Sequence, residues 1–421
     1  MKNIPLLGNL NIQHHQLQNG LQLAIVVDTT TPIFTYQTWF KVGSADERAG
    51  KQGLAHLFEH MMFRTTSNRK MGEWEKEVNE HGGTGINAYT SRDQTVYHFT
   101  FPNEKFSLAA ELESDRMHNL IIEPEMFETE KGAVLTERNR GLDEPVRYLW
   151  EELYKTAYAE HNYKYSIIGE EESIKNFSVE EAKNFYQKYY SPNNALIIVV
   201  GDVEPNSIIK IIEEHYGKIS PQKISERPTK KEPPQQEHRF RKIHHPKATQ
   251  RMLAKAWHIP NMLHQDYPAF SMVGRLLTSG KTSLLQERLV NRAKVTSLYA
   301  DAFVGKDMGT FEFFVQLSEK ETFEEIEKIF FDALHELANG KITDEQFRIA
   351  KNTLQKDFYH AIVSPSTLAR VIGDSFIYAN DLSYQIKVVE KMEHLAKKDI
   401  QKVVQHYLID GKSTTLHLTP Q

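Results

Sequence analysis

The sequence contains no cysteine, no long apolar run and no excess of positive charge. Without cysteine, disulfides and thiolate metal sites are excluded, so a transition metal would have to be held by histidine and carboxylate. No apolar stretch approaches the roughly 20 residues of a membrane-spanning helix. A formal net charge of −5 gives no basic footprint for nucleic acid. We therefore expect a globular protein with no nucleic-acid partner and no membrane span.

The first 17 residues lack the apolar centre of a signal peptide, and carry glutamine, asparagine and two histidines instead. The sequence as written therefore predicts a cytoplasmic protein. A chain whose signal peptide had already been removed would look the same, so a periplasmic location stays open.

Residues 53–60 place two imidazoles and a carboxylate on one turn of an amphipathic helix. Side chains four residues apart on a helix lie about 5–6 Å apart at Cβ, so His56 and His60 can reach the same ion. Glu59 lies on the same side of the helix, so its carboxylate can approach that ion without serving as a ligand. The order H-x-x-E-H inverts the H-E-x-x-H of many zinc peptidases and is found in the inverzincins.

A second helical stretch at 127–138 carries further carboxylates. Glu137 lies 77 positions after His60, and Glu130 lies seven positions before Glu137. Seven residues are about two helical turns, so the two carboxylates share a face.

These motifs resemble the signature of the insulinase and pitrilysin family, which includes the mitochondrial processing peptidases. In that family H-x-x-E-H is followed about 75 residues later by a ligand glutamate. Further stretches also resemble the family. Residues 17–23 resemble its opening hairpin, and residues 42–47 resemble the turn before its zinc helix. Residues 82–97 resemble its Gly-rich turn and the following strand, and residues 189–202 resemble its strand before Gly-Asp.

The resemblance implies a role for each site residue. His56, His60 and Glu137 would bind one zinc ion per chain, with an open position for water. Glu59 would be the general base that activates this water. Glu130 would help to orient the groups of the site or add negative charge to it. The alternative is that Glu130 is an exposed carboxylate on the surface of a helix.

The sequence pattern predicts two duplicated halves that are joined by a linker. Strand-like and helical stretches through residues 1–219 predict an α+β fold. A polar, Pro-rich segment at 220–242 has the composition of a linker. A helix, a tyrosine and an apolar strand at 179–200 recur at 398–419. We expect two homologous α/β domains, each a mixed, mostly antiparallel sheet flanked by helices: a catalytic zinc domain at 1–219 and a domain without metal at 243–421.

Peptide binding is expected at residues 87–90, which are Asn87, Ala88, Tyr89 and Thr90. They read as a strand after a Gly-rich turn, and in the family the matching strand is a sheet edge that adds the substrate as another strand. The alternative is a strand paired on both sides within the sheet. Trp39, Trp74 and Tyr97 are expected to be packing residues.

One departure from the family concerns a substrate-binding arginine and a tyrosine seven residues later. A gapless alignment of residues 283–289 puts Val290 and Ser297 at those positions, whereas a shift of two residues recruits Arg292 and Tyr299. The gapless alignment is favoured and implies that a partner chain supplies the pair.

The sequence therefore predicts a zinc metalloendopeptidase that cleaves peptides or unfolded protein segments in an enclosed chamber. Members of the family enclose substrate between four such domains, so a dimer is implied: a heterodimer with a related chain lacking the zinc motif, or a homodimer. The alternatives are a non-catalytic assembly subunit of the same fold and a metal-dependent hydrolase of small molecules.

Overall fold

The computed structural model describes residues 2–8, 10–224, 226–228 and 230–421. Two positions of the predicted linker, Ser225 and Thr229, lie outside the described residues. The strands are Lys2–Leu7 (β1), Leu10–Gln16 (β2), Gln22–Val27 (β3), Ile33–Phe40 (β4), Thr84–Thr90 (β5), Thr95–Pro102 (β6), Ala195–Gly201 (β7), Arg239–His245 (β8), Met252–Ile259 (β9), Val295–Phe303 (β10), Gly309–Leu317 (β11) and Ser413–Pro420 (β12).

The α-helices are Leu54–Met61 (α1), Glu73–Glu80 (α2), Phe106–His118 (α3), Pro124–Leu142 (α4), Pro145–Ala157 (α5), Glu171–Lys175 (α6), Val179–Tyr189 (α7), Pro205–Tyr216 (α8), Tyr267–Thr278 (α9), Phe323–Ala338 (α10), Asp344–Ala361 (α11), Pro365–Ala379 (α12), Tyr384–Glu393 (α13) and Lys397–Val403 (α14). Short 3₁₀ or π turns occur at Ser44–Asp46, Asn103–Lys105, Asn162–Lys164, Pro192–Asn194, Gln286–Val290 and Val404–Ile409. Within the part of the chain described, no helix combines the length and hydrophobicity that a bilayer span requires.

Two sheets confirm the predicted fold class. The first has the strand order β1-β2-β3-β7-β4-β6-β5, and the second has the order β10-β11-β9-β12-β8. In each sheet one neighbouring pair is parallel, β3 with β7 and β8 with β12, and the other pairs are antiparallel. Both sheets are therefore mixed and mostly antiparallel.

The duplication is visible in the strand order. Reading from β3 to β5 in the first sheet and from β8 to β10 in the second gives the same succession, with the parallel pair at the same place. Each sheet also ends in a strand, β5 or β10, that pairs on one side with the next strand of the chain. The two sheets are thus copies of one plan, as the repeat predicts.

The core of the first sheet forms where its strands meet α1, α3, α7 and α8. Alternation along β4 turns Tyr36 and Phe40 toward this helical layer. Gln37 and Trp39 face the other way, where α12 packs against β4 and β7. Trp39, Trp74 and Tyr97 are all buried, which confirms their expected packing role.

The compact units differ from the predicted division in two segments. One unit comprises Met1–Arg138, Tyr165–Thr229 and Ala361–Ile386, and the other comprises Asn139–Lys164, Lys230–His360 and Lys387–Gln421. The reason is packing: α5 lies against β8, β9 and β12 of the second sheet, whereas α12 lies on the first sheet. The predicted linker also ends earlier than expected, because β8 begins at Arg239.

Candidate metal centre and peptide edge

The helix α1 is amphipathic, and its burial orients the predicted metal-binding residues. Leu57, Phe58 and Met61 are fully buried. Phe58 stacks on Phe185 of α7, with ring centroids 5.3 Å apart. Since this apolar stripe is fixed in the core, the interspersed polar side chains of α1 are turned to the opposite side of the helix.

The N-terminus of α1 is held by Glu47, a residue of the turn at 42–47. The buried Glu47 carboxylate accepts hydrogen bonds from the backbone N–H groups of Gly53 (2.9 Å) and Ala55 (2.7 Å). Burial raises the pKa of Glu47, and these backbone donors oppose the shift. Gly53 has φ of 102°, and an added Cβ would lie 2.5 Å from the carbonyl oxygen of Ile168, so only glycine fits.

Three predicted donors converge next to α1. One ligand atom from each of His56, His60 and Glu137 can be chosen so that all lie within 4.8 Å of one another. Glu137 Oε2 lies 3.7 Å from His56 Nε2 and 3.5 Å from His60 Nε2. These separations are too long for hydrogen bonds but close to the edge of about 3.4 Å of a tetrahedron with zinc–ligand bonds near 2.1 Å. The donor set therefore fits zinc, and among the described residues it is the one group of this kind.

The charge of the cluster also favours a cation. The neighbouring carboxylates, Glu130 first and Glu137 second, raise the pKa of His60 to about 9, while burial works against this shift. A protonated imidazole cannot bind a metal, so a zinc ion at this site would have to displace the proton.

Glu130 lies next to one of the three donors, His60. Its buried carboxylate lies 3.6 Å from His60 Nδ1 and 2.7 Å from the Nε of Arg64. Burial tends to raise the pKa of Glu130, but the contacts with His60 and Arg64 more than offset it and lower the pKa. The predicted alternative of an exposed carboxylate does not hold, since the Glu130 side chain is only 5% exposed. Sequence reasoning missed Arg64, which lies three residues beyond the end of α1, so helical spacing gives no signal for it.

Glu59 joins α1 to the strand β5. Thr90 Oγ1 donates a 2.7 Å hydrogen bond to Glu59 Oε2. Burial raises the pKa of Glu59, opposed by the Thr90 hydrogen bond and the positive charge of His60. The predicted base therefore stands beside both the donor cluster and the last strand of the sheet.

The strand β5 is the edge of the first sheet, as expected. Within the described residues it pairs with β6 alone, so its other side presents backbone groups for an added strand. Thr90 and Ala88 face α1 and the core beside it. Tyr89 faces the other layer, where its ring meets Trp39 edge-on at 6.2 Å. The binding of substrate at Asn87, Ala88, Tyr89 and Thr90 stays a prediction.

A buried carboxylate in the layer behind Tyr89 gives a pH-dependent prediction. Burial raises the pKa of Asp374 on α12 to about 6, opposed by Arg370. Because this pKa lies above the ordinary value, the folded state loses stability as the pH rises from about 4 through about 6. Asp374→Asn should therefore raise the free energy of unfolding at about pH 8 by at most about 3 kcal/mol and have little effect at or below about pH 4. Melting curves at the two pH values measure this; an equal shift at both would contradict it.

Arg292 and Tyr299 are placed on different sides of the second sheet. Arg292 is exposed and lines a cavity beside His335 of α10. The Tyr299 ring packs edge-on against Trp150 of α5 at 6.3 Å. Since α5 and α10 contact opposite faces of this sheet, the structure does not join the two side chains in one pair. At the positions of the gapless alignment, Val290 packs on the core and Ser297 is half-buried on β10.

Comparisons with known proteins show the family to which the chain belongs. The description "Insulinase (Peptidase family M16)" matches residues 23–171, and "Peptidase M16 inactive domain" matches residues 176–354. The zinc protease PqqE of Helicobacter pylori is 30% identical over 96% of this chain and 92% of the relative. This chain belongs to peptidase family M16, the insulinase family. A mitochondrial-processing peptidase subunit beta from Lentinula edodes is 24% identical over 94% of this M16 chain and 87% of that protein.

Solved structures place this M16 member in the same fold. A protease from Helicobacter pylori superposes with a TM-score of 0.92 at 30% identity, over 97% of this chain and 99% of that one. A putative M16-like peptidase from Alicyclobacillus acidocaldarius gives a TM-score of 0.87 at 20% identity, over 99% of this chain and 100% of that one. The two-sheet architecture is thus that of two-domain M16 peptidases.

Proposed function

We propose that this chain is a zinc metalloendopeptidase that hydrolyses peptides or unfolded protein segments bound along β5. The observation that carries the proposal is the placement of Glu59 between the donor cluster and the edge strand. His56, His60 and Glu137 would hold one zinc ion, with Glu130 and Arg64 fixing the orientation of His60. The names of the relatives, zinc proteases and processing peptidases, support this reading.

Each residue then has a defined task. A peptide paired with the free edge of β5 would be held by its main chain, which allows broad sequence tolerance. When bound, the zinc ion supplies positive charge that lowers the pKa of a water and polarises a carbonyl. Glu59 takes a proton from the attacking water on its carboxylate and passes it to the leaving amine nitrogen. Thr90 keeps that carboxylate in position through its hydrogen bond.

Mass spectrometry of a peptide mixture digested with the purified chain tests the function. We expect new peptide ends with the zinc-loaded protein and none after chelation. A zinc content near zero together with no cleavage would support the assembly-subunit alternative. Bound zinc without cleavage of any peptide, by the chain alone or with a partner, would support a hydrolase of small molecules.

The state of assembly gives a separate prediction, because the structure leaves Arg292 and Tyr299 apart. We propose that a related chain lacking the zinc motif supplies the arginine and tyrosine. Donors of this kind at a developing oxyanion are worth about 3–4 kcal/mol, so adding the partner should raise the rate of the isolated chain by roughly a hundredfold or more. Rates of the isolated chain, with and without the partner, measure this. Full activity of a homodimer, abolished by Arg292→Ala and by Tyr299→Phe, would overturn the heterodimer.

A further inference from the structure

A cavity of about 440 Å³ lies at the N-terminal end of α1 and is not used by the proposed reaction. It opens between the loop before α1, the helix α7 and the segment 226–228. Its size lies within the range of small-molecule sites in proteins. The residues that matter for its chemistry are Arg48, Leu54, Phe185, Lys188, Tyr189 and Pro228.

The floor of the cavity is apolar and belongs to the structure that carries the metal donors. Leu54 is the first residue of α1 and is buried. Phe185 packs on Phe58 of the same helix. Tyr189 and Pro228 extend the apolar surface toward the rim. Burial of an apolar group against these side chains would be favourable by about 25 cal/mol per Å².

Two positive charges stand over this floor without a carboxylate partner. The side chain of Arg48 makes no hydrogen bond or ion pair with any described residue. The Nζ of Lys188 is bonded within the described chain only to the hydroxyl of Tyr189, at 2.7 Å. Burial first, and the charge of Arg48 second, lower the pKa of Lys188, whereas the Asp46 carboxylate raises it; both Arg48 and Asp46 therefore lie near this ammonium group.

The acidic residues around the cavity are mostly engaged elsewhere. Asp46 lies 3.1 Å from the guanidinium of Arg227, and Glu181 lies 2.7 Å from the ammonium of Lys51. Glu47 accepts the backbone N–H groups of α1. Glu226 also lines the cavity and is exposed, and its negative charge opposes the two positive charges. The charged groups of the lining that are not engaged elsewhere are therefore two cations, Arg48 and Lys188, and one carboxylate, Glu226.

We propose that this cavity binds a monocarboxylate with an apolar tail, whose carboxylate lies between Arg48 and Lys188 and whose tail lies on Leu54 and Phe185. This is a binding function separate from peptide hydrolysis, because neither the donor cluster nor β5 lines the cavity. Its position at the start of α1 makes it a place where a small acid can act on the helix that carries His56 and His60.

Titration calorimetry of the full chain with 4-phenylbutyrate tests the proposal. We expect saturable binding, weakened about tenfold or more for the neutral 4-phenylbutyramide and for the double variant Arg48→Met with Lys188→Met, since a charge-assisted contact is worth about 1.5–3 kcal/mol. Lys183→Met, on the same helix and exposed, is the matched control and should bind as the unaltered chain does.

Two results would overturn the site. One is the absence of saturable binding at millimolar 4-phenylbutyrate. The other is unchanged affinity in the double variant, which would place the acid elsewhere, for example on the metal. Because the readout is binding, failure of the peptidase proposal would leave the result interpretable.

Discussion

The substitution Glu59→Gln should leave zinc bound and reduce kcat by about two to four orders of magnitude. The amide keeps the shape of the side chain and can still bond to Thr90, but it cannot accept the proton of the attacking water. Zinc affinity should change little, because Glu59 is not among the three converging donors. Peptide cleavage rates and zinc content, measured on the same preparation, check the two halves of this expectation.

The matched control is Thr90→Val, which preserves the volume of the side chain and removes only its hydroxyl donor to Glu59. It should reduce kcat far less than Glu59→Gln, because the base is still present and has only lost one positioning bond of about 1 kcal/mol. If Glu59→Gln kept near-normal turnover, the assignment of Glu59 as the base would be wrong.

The second large effect concerns the metal itself. His56→Ala, His60→Ala and Glu137→Ala should each lose zinc and, with it, all zinc-dependent cleavage. Glu130→Gln should retain more of the metal, because loss of an orienting partner of a ligand costs about 10–100-fold in affinity. Competition with a chelator, read by zinc analysis, should therefore rank the variants without reference to activity.

Glu125→Ala serves as the matched control for the α4 substitutions. It lies on the same helix as Glu130 and Glu137 and is exposed, and it should leave zinc affinity unchanged. Full zinc occupancy in any one of the three alanine variants would contradict the ligand role of that residue. Equal losses in Glu130→Gln and Glu137→Ala would instead mean that Glu130 is itself a ligand.

The donors on α1 could be predicted because their geometry is local. A helix fixes residues four apart on one face, so His56 and His60 follow from spacing alone. Glu137 needed the resemblance, since no local rule links it to residues 77 positions earlier. The edge position of β5 also came from the resemblance, because the sequence of one strand does not show how many other strands pair with it.

The contacts that complete the site depend on tertiary structure and could not be derived. The Thr90 to Glu59 hydrogen bond joins a strand to a helix across 31 positions. The helix α12 packs on the first sheet so closely that a Cβ at Gly373 would lie 2.1 Å from Trp39. The sequence marks Trp39 as a packing residue, but its partner, more than 300 residues away, is defined only by the fold.

The return of α12 to the first sheet has a consequence for how the protein is made. A ribosome that has completed β4 must add roughly 300 further residues before α12 exists to cover Trp39. At about 5–20 residues per second this takes on the order of 15–60 s. Throughout that interval the Trp39 face of the nascent first sheet is not covered by α12. Protection of this face by a chaperone during translation would therefore matter more here than for a protein whose covering helix follows its strand directly.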